Sequence, residues 1–245
     1  MKTICIDAGN TFVKVALMED GFVQSLVAYP FADANELLRY ITSLPQVEAC
    51  ILSGVISVNP EIIDILKHKA THFMELTAST PVPIKNLYQT PETLGKDRLA
   101  AVVGAHSLFP DKDVLVVDAG TALTIDFIDR AGNYHGGNIS PGLNMRFRAL
   151  HDYTQKLPLQ TQTDDYDLIG NTTASAMISG VQNGIIFEIN EYVNRFDKQY
   201  PALVTILTGG DAEFFVNKIE KPTFAVPDLL FIGMEKIVTY NYGIK

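Results

Sequence analysis

Apolar and polar positions follow two patterns that alternate along the chain. Short runs in which every residue or every second residue is apolar predict β-strands, and longer segments with apolar residues three or four positions apart predict α-helices. The first half opens with three predicted strands and then alternates helices with strands. Its predicted strands are 3–7, 11–18, 22–28, 49–52 and 72–76, and its predicted helices are 33–44, a helix opened by Asn59-Pro60, and 93–109.

The second half repeats this plan after a junction at residues 110–112. Its predicted strands are 114–118, 121–128, 134–139, 203–207 and 223–226, and its predicted helices are 142–151, 171–200, 212–218 and 229–240. Parallel strands joined by helices predict an α/β fold whose sheets are covered on both faces. We therefore expect two domains, at residues 1–111 and 112–245.

One glycine turn occurs in both halves, each time directly after a predicted buried strand. Asp7-Ala8-Gly9-Asn10-Thr11 follows the first strand, and Asp118-Ala119-Gly120-Thr121 follows the first strand of the second half. A single copy is explained equally well by an ordinary turn that uses Asp and Gly for backbone shape. Two copies in the same context favour a pair of turns that present carboxylates, hydroxyls and backbone N–H groups to phosphates and a cation. The sequence therefore predicts a phosphotransferase.

Composition and charge restrict the partners of the protein. The 245 residues are 47% hydrophobic, which is enough for a substantial core, and the formal net charge is −9. A negatively charged chain without a basic stripe is not expected to bind nucleic acid or an anionic membrane. No apolar run approaches the ~18 residues of a membrane-spanning helix, and the start has no signal-peptide pattern. Cys5 and Cys50 lie in buried-strand patterns, so we expect reduced thiols and a cytoplasmic protein.

A charged segment, Gly95-Lys96-Asp97-Arg98, lies at the start of the helix predicted from residue 93. Asp97 could accept the proton of an attacking hydroxyl group, and the Arg98 guanidinium could bind a substrate carboxylate through two hydrogen bonds. An alternative fits the spacing equally well, with Asp97 complementing the helix dipole and Arg98 on a solvated face. Tyr88, just before this segment, belongs either to the same site or to a surface packing contact.

Two further glycine-rich segments connect a predicted strand to a helix, Gly136–Gly142 and Thr208–Asp211. Either could let a nucleotide or a substrate approach the backbone closely, and either could be a tight strand-to-helix turn. Asp126 alternates with apolar residues after the second aspartate turn, and we interpret it as structural.

In their order and spacing, these segments resemble the type III pantothenate kinases, and the resemblance covers nearly the whole chain. Each segment by itself is too short to identify a family, and only their combination is specific for one. The segments are Asp7-x-Gly9-Asn10-Thr11-x-x-Lys14; Tyr88 with Pro91 and Leu94; Gly95-x-Asp97-Arg98; Asp118-x-Gly120-Thr121; Gly136-Gly137-x-Ile139-x-Pro141-Gly142; Gly170-x-x-Thr173; and Thr208-Gly209-Gly210.

The resemblance implies a fold and a reaction. The fold would be two ribonuclease H-like domains of the actin-like ATPase type, each with a mixed five-stranded sheet flanked by helices. The reaction would be ATP-dependent phosphorylation of pantothenate at its 4′-hydroxyl, the first step of coenzyme A biosynthesis. The family forms homodimers, so the second domain would carry the dimerisation helix, although the apolar stripe of residues 171–200 fits an internal core equally well.

The resemblance also implies roles for individual residues. Asp97 would be the catalytic base, Asp7 would help to place Mg²⁺, and Asp118 would hold a monovalent cation, K⁺ or NH₄⁺. The implied pantothenate-binding residues are Tyr88, Gly95, Lys96, Asp97, Arg98 and Thr173. The implied ATP-binding residues are Asp7, Ala8, Gly9, Asn10, Thr11, Phe12, Val13, Lys14 and Thr121.

Other functions fit parts of the same pattern. A non-catalytic or regulatory relative of this fold should have lost Asp97 or Asp118, and both are present. A kinase for a neutral sugar would suit Tyr88 and the Gly95–Arg98 segment less well than a kinase for an acidic substrate. A polyphosphate hydrolase would need more basic residues around the site than this negatively charged chain provides.

Overall fold

The computed structural model describes residues 1–9, 11–30, 33–54 and 59–243. Its internal contacts divide the chain into two compact units. One unit comprises Met1–Leu108 together with Asp228–Lys245, and the other comprises Phe109–Pro227. No helix in the described part of the chain is long and apolar enough to cross a membrane.

The first unit contains a mixed sheet with helices on both faces. The strands of this sheet are β1 (Lys2–Ala8), β2 (Phe12–Glu19), β3 (Phe22–Pro30), β4 (Val47–Gly54) and β5 (Ala70–Glu75). The two-residue strand β6 (Lys85–Asn86) lies outside it. The helices of this unit are α1 (Ala34–Ser43), α2 (Pro60–Lys69), α3 (Lys96–Leu108) and the closing helix α7 (Leu229–Tyr242), and a 3-10 turn spans Pro91–Thr93. The sheet order is β3-β2-β1-β4-β5, with β1 antiparallel to β2 and parallel to β4.

The apolar run of β1 faces two cores, one on each side of this sheet. Ile4 and Ile6 pack with residues of α1 and α2, whereas Cys5 packs with residues of α3 and α7. A strand that is buried on both faces needs apolar side chains at successive positions, which is why this segment has no polar alternation. Both cysteines are buried free thiols, as their strand patterns predict.

Two local sequence signals have the structure that they predict. Asp20 and Gly21 join β2 to β3 with φ angles of 52° and 87°, the left-handed conformation that a two-residue hairpin turn requires. Asn59 caps α2 by accepting a hydrogen bond from the Glu61 N–H at 3.0 Å, and Pro60 occupies the first helical position.

The second unit contains another mixed sheet flanked by helices. Its strands are β7 (Val114–Ala119), β8 (Ala122–Ile128), β9 (Asn133–Pro141), β10 (Val204–Thr208) and β11 (Phe224–Ala225), and its helices are α4 (Leu143–Asp152), α5 (Thr173–Gln199) and α6 (Ala212–Val216). These strands lie in the order β11-β10-β7-β8-β9, with β7 antiparallel to β8 and parallel to β10. Each unit therefore begins with the three-strand meander that the sequence predicts.

The compact units differ from the predicted division at residue 111 in one element, the closing helix α7. That division placed α7 in the second domain, whereas α7 packs on α3 within the first unit. The two helices touch through glycines, since a Cβ on Gly104 would overlap the Leu229 carbonyl oxygen and a Cβ on Gly233 would overlap that of Ala100. Such a close approach of two backbones is a tertiary contact that the pattern of neither helix reveals.

Candidate active site

In the first unit, the turn after β1 brings Asp7 next to Lys14. The two residues are partners in the antiparallel register of β1 and β2, so their side chains lie on the same face of the sheet. The parallel neighbour of Asp7 on β4 is Ser53, which is buried. The central strand of this unit therefore ends on a carboxylate whose strand partners carry an ammonium group and a hydroxyl group.

The glycine of this turn uses its backbone N–H within the protein. The Gly9 N–H donates to the Phe12 carbonyl at 3.0 Å and closes the hairpin. The N–H therefore contributes to the turn itself, and Thr11 is an exposed residue of that turn. Ala8, Phe12 and Val13 are strand residues on either side, and Asn10 lies outside the described residues.

The surroundings of Asp7 destabilise its charged form. The pKa of this carboxyl is raised to about 6, first by burial and second by the negative charge of Asp97, while the Lys14 charge opposes the shift. Asp97 is therefore close enough to Asp7 for their charges to interact. A cation bound at Asp7 would stabilise the carboxylate against both effects.

We expect Asp7→Asn to make the ligand-free and Mg²⁺-free protein more stable. A carboxyl whose pKa is raised by folding costs stability as the pH rises from about 4 to about 6, and the cost is constant above that range. At pH 7.5 the substitution should raise the free energy of unfolding by about 1–3 kcal/mol, and at pH 4.5 by about a third of that amount. Chemical denaturation at the two pH values measures the difference.

The matched control is Asp64→Asn, which removes an exposed carboxylate from α2. It should change the free energy of unfolding by less than about 0.5 kcal/mol at either pH. The same gain for Asp7→Asn at both pH values, or no gain at pH 7.5, would contradict the raised pKa of Asp7.

Helix α3 begins at Lys96, three residues later than the sequence predicts, because Pro91–Thr93 forms a separate 3-10 turn. Asp97 is exposed in the first helical turn, and its Oδ1 accepts the Arg98 N–H at 2.8 Å. Gly95 makes room for this carboxylate, since a Cβ at Gly95 would overlap Oδ1. An exposed carboxylate at a helix N-terminus is placed to accept a proton from a bound hydroxyl group.

Lys96 connects this first helical turn to the sheet. Its Nζ donates to the Gly54 carbonyl, at the end of β4, at 3.1 Å. Gly54 is the parallel partner of Ala8, so the bond joins the start of α3 to the strand ends beside Asp7. Lys96 thus helps to hold Asp97 near Asp7.

Arg98 lies under an aromatic ring and not on a solvated helix face. The side chain is only 6% exposed, and its guanidinium carbon is 5.7 Å from the centre of the Tyr88 ring. A cation–π contact of this kind orients the flat guanidinium group. The structure therefore excludes a solvated helix face for Arg98 and brings Arg98 and Tyr88 into contact.

In the second unit, the backbones of Gly120 and Gly209 lie close to Asp118 near the end of β7. The Gly120 N–H donates to the Ala122 carbonyl at 3.2 Å and closes this hairpin. A Cβ at Gly120 would lie 3.1 Å from Asp118 Oδ1, and a Cβ at Gly209 would overlap the same oxygen. Gly209 also has a φ angle of 94°, so glycine permits both this backbone conformation and the close approach of the backbone to the carboxylate.

The two glycine-rich segments of the second unit both pack their backbone on this turn. The Gly142 N–H donates to the Thr121 carbonyl at 3.2 Å, and a Cβ at Gly142 would overlap the carbonyl oxygens of the turn. The Asp211 N–H donates to the Ala119 carbonyl at 2.9 Å. Thr121 itself is exposed. These contacts fix the turn from two sides and leave the Thr121 side chain accessible.

Asp126 has the structural role that its sequence pattern indicates. The carboxylate is 2% exposed, and Oδ1 accepts the Tyr134 hydroxyl at 2.7 Å. Gly137 passes directly over it, since a Cβ there would overlap Asp126 Oδ1. This part of the glycine-rich segment therefore serves close strand packing.

Thr173 is the first residue of α5 and is exposed. A capping box precedes it, in which Thr172 Oγ1 accepts the Ser175 N–H at 3.1 Å and the Ser175 hydroxyl accepts the Thr172 N–H at 2.9 Å. The box places the helix start two residues after the predicted one and holds Thr173 at a defined position.

The sequence pattern did not single out Thr124, and it named Thr208 only as part of a glycine-rich segment, not as a strand partner of Asp118. Thr124 is its antiparallel partner on β8, and Thr208 is its parallel partner on β10. Hairpin register could have identified Thr124 from the length of the turn, because a tight turn fixes which residues pair. Thr208 depends on which strands become neighbours, which the local pattern does not determine.

A family model described as type III pantothenate kinase matches residues 3–195 of the chain. A relative with the same description from Bacteroides fragilis is 42% identical over 240 residues, covering 98% of each chain. The chain belongs to the type III pantothenate kinase family. Another relative described as a type III pantothenate kinase, from Flavobacterium johnsoniae, is 37% identical over 246 residues and also covers 98% of each chain.

Solved structures share the fold of this pantothenate kinase family member at lower identity. A Campylobacter jejuni protein described as a candidate Baf family transcriptional activator is 23% identical, with a TM-score of 0.65 over 98% of this chain and 100% of that one. The activator of 2-hydroxyisocaproyl-CoA dehydratase from Clostridium difficile, solved with bound ADPNP, is 12% identical, with a TM-score of 0.50 over 100% and 98%. The predicted actin-like ATPase fold is confirmed.

Proposed function

We propose that this chain transfers the γ-phosphoryl group of ATP to the 4′-hydroxyl of pantothenate. The products are ADP and 4′-phosphopantothenate, so the reaction is the first step of coenzyme A biosynthesis. Family membership supports this function. The observation that carries the proposal is the first turn of α3, where the exposed Asp97 adjoins a buried Arg98 stacked on Tyr88.

Pantothenate has a primary hydroxyl group at one end and a carboxylate at the other. Asp97 would accept the hydroxyl proton while the hydroxyl oxygen attacks the γ-phosphorus and the bond to the departing ADP oxygen breaks. Arg98, oriented by Tyr88, would bind the carboxylate through paired hydrogen bonds. The remaining proposed pantothenate contacts are Gly95, Lys96 and Thr173.

The phosphoryl donor would be ATP with Mg²⁺, contacted by residues 7–14 and by Thr121. Asp7 fits a place beside Mg²⁺, because burial and the Asp97 charge destabilise its carboxylate and a cation would stabilise it. Magnesium usually binds one or two protein carboxylates and takes its other ligands from phosphates and water. When bound, it neutralises charge on the phosphates.

We also assign a monovalent cation, K⁺ or NH₄⁺, to Asp118. The backbones of Gly120 and Gly209 lie close to Oδ1, and carbonyl oxygens of Ala119, Gly120 and Thr121 lie around the same turn. Carboxylate and carbonyl oxygens are the ligands that hard cations prefer. The residues present therefore fit such an ion, which would add positive charge near the phosphates.

The active form would be a cytoplasmic homodimer that associates through the second unit, with no nucleic-acid or membrane partner. Two apolar side chains of its helices are open to solvent, Phe187 on α5 at 57% exposed and Met145 on α4 at 43%. Apolar surface of this kind is typical of a face that is covered by another protein chain. The free buried cysteines fit a reducing compartment.

A coupled assay of ADP release tests the proposed reaction. The protein is supplied with ATP and Mg²⁺, with and without pantothenate, in K⁺ buffer and in Na⁺ buffer of equal ionic strength. We expect ADP release that requires pantothenate and is faster in K⁺. Release that is independent of pantothenate would contradict the acceptor, and no release in either buffer would favour a regulatory relative of the same fold.

Arg98→Lys should raise the KM for pantothenate by about tenfold or more, with a smaller effect on the KM for ATP. A lysine keeps the charge but loses both the paired hydrogen bonds to a carboxylate and the flat contact with Tyr88. Arg39→Lys, on an exposed position of α1, is the matched control and should leave both KM values unchanged. An unchanged pantothenate KM for Arg98→Lys would place the substrate carboxylate on another group.

A further inference from the structure

A network of three side chains holds the end of β9 in the second unit. The Ser140 hydroxyl donates to Glu188 Oε1 at 2.6 Å, and Arg146 Nη2 donates to Glu188 Oε2 at 2.5 Å and to Ser140 Oγ at 3.3 Å. Arg146 Nε also donates to the Pro141 carbonyl at 2.7 Å. Because Glu188 accepts with both of its oxygens, these contacts join the end of β9 and the first turns of α4 to the middle of α5.

The charged members of this network are mostly buried. The side chains of Arg146 and Glu188 are 21% and 26% exposed. A Cβ at Gly184, one helical turn before Glu188, would lie 3.8 Å from Arg146 Nη1, so the guanidinium group also lies against the backbone of α5. Salt screens such a pair less than an exposed one, and hydrogen bonds to charged groups are the stronger kind. The network therefore holds the end of β9 at a defined position.

The segment that the network holds lies directly on the second aspartate turn. Pro141 pairs with Ala122, the first residue of β8, in the antiparallel register. The next residue, Gly142, donates its N–H to the Thr121 carbonyl at 3.2 Å, and a Cβ at Gly142 would overlap that oxygen. The Thr121 side chain is exposed, so backbone contacts such as these set its position.

We propose that Arg146 and Glu188 are positioning residues for the nucleotide. They hold residues 140–142 against the turn, and this keeps Thr121 where its hydroxyl group can donate to a phosphate. Both residues act through the backbone of that segment and need no contact with the nucleotide. The inference rests on the proposed ATP contact of Thr121 and adds the charged pair on which that contact depends.

The first variant is Glu188→Gln, which keeps the shape of the side chain. Glutamine has one acceptor oxygen in place of two, so it loses either the Ser140 contact or the Arg146 contact. The matched control is Glu191→Gln on the same helix. Glu191 Oε1 accepts Arg195 Nε at 2.7 Å, but these side chains are 60% and 75% exposed, and an exposed pair of this kind contributes little.

The second variant is Arg146→Lys, which keeps the positive charge. A lysine has a single ammonium group, so it cannot replace the Nε contact with Pro141 and the Nη2 contact with Glu188 together. Two readouts are compared for every variant. Isothermal titration calorimetry gives the Kd of ADPNP, a non-hydrolysable ATP analogue, with Mg²⁺. Pantothenate-dependent ADP release gives the KM for ATP and the KM for pantothenate.

Each of the two variants should raise the Kd of the analogue and the KM for ATP by about fivefold or more, while the KM for pantothenate changes by less than about twofold. The double variant should be within about twofold of the more severe single variant, because Arg146 and Glu188 act as one unit. Glu191→Gln should match the wild type in both readouts.

A role in stability alone would lower the melting temperature while the Kd and both KM values stay at their wild-type values, and this result would overturn the inference. An equal rise in the two KM values would also overturn it. If circular dichroism shows that the variants do not fold, Ser140→Ala decides by the same split between the KM values, because it removes only the hydroxyl group of the network.

The calorimetric readout separates this inference from the proposed reaction. Weaker binding of the analogue by the variants, without pantothenate-dependent ADP release in the wild type, would support the positioning role and contradict the proposed reaction. Pantothenate-dependent release in the wild type, with unchanged nucleotide binding in the variants, would overturn the inference and leave the kinase function standing. A wild type that does not bind the analogue would overturn both.

Discussion

Asp97→Asn is expected to lower kcat for pantothenate phosphorylation by about 10²–10⁴-fold, with little change in either KM. The asparagine amide has nearly the shape of the carboxylate but cannot accept the hydroxyl proton. Its side-chain oxygen can still accept the Arg98 N–H, as Asp97 Oδ1 does at 2.8 Å, so α3 should begin at the same residue. Steady-state kinetics at saturating ATP and pantothenate measures the loss.

A stability measurement separates loss of the base from loss of the fold. The Asp97 charge is one of two causes that raise the pKa of Asp7, so Asp97→Asn should be at least as stable as the wild type at pH 7.5. Glu92→Gln removes an exposed carboxylate from the 3-10 turn before α3 and should keep kcat within about twofold. A kcat for Asp97→Asn within about threefold of the wild-type value would remove Asp97 from the proton transfer.

Gly233→Ala is expected to lower the free energy of unfolding by about 3 kcal/mol, the upper part of the usual range for an overpacked contact. The added methyl group would overlap the Ala100 carbonyl oxygen and would lie 2.9 Å from the Gly104 nitrogen. Because both atoms belong to backbone, α3 and α7 would have to separate. The first turn of α3 carries Asp97, so the kinase rate should fall as well. Chemical denaturation measures the stability loss.

Gly180→Ala is the matched control for this helix glycine. A Cβ at Gly180, within α5, would meet nothing within 4 Å, and alanine favours a helix over glycine by about 0.5–1 kcal/mol. The control should therefore be as stable as the wild type or slightly more stable. A loss below about 1 kcal/mol for Gly233→Ala would mean that α3 and α7 can part without cost, which would contradict the tight glycine contact.

The elements of both sheets could be predicted because local signals and tertiary packing agree in them. The unbroken apolar run at Ile4–Ile6 matches a strand that is buried on both faces. The Asn59-Pro60 pair predicts a helix start that the structure has, and Asp20-Gly21 predicts the hairpin that joins β2 to β3. At these positions, a stretch of about ten residues is sufficient to predict the local structure, because its preference agrees with the fold.

The sequence predicts which residues belong to the site better than it predicts how they are arranged. The sequence places Asp97 and Arg98 at a helix start, but it cannot show that Arg98 is covered by Tyr88, since that depends on the path of the loop between them. It also does not show that the Gly9 N–H donates a hydrogen bond to the Phe12 carbonyl within the hairpin. Side-chain burial and backbone pairing are decided by neighbours distant in sequence, so residue identity alone leaves them open.

Two other features depend on long-range arrangement. The contact of α7 with α3 joins segments more than a hundred residues apart, and the pattern of either helix is compatible with another partner. Thr124 becomes comparable with Lys14 only through strand register, because the two turns differ in length.

The most direct test of the central claim is ³¹P nuclear magnetic resonance of the complete reaction with ATP, Mg²⁺, K⁺ and pantothenate. The proposed transfer predicts a new phosphomonoester resonance that grows as the γ-phosphate signal declines, requires pantothenate, and grows about 10²–10⁴-fold more slowly when Asp97→Asn replaces the wild type. Loss of the γ-phosphate signal to inorganic phosphate alone would show hydrolysis without transfer and would contradict the assignment of this chain as a pantothenate kinase.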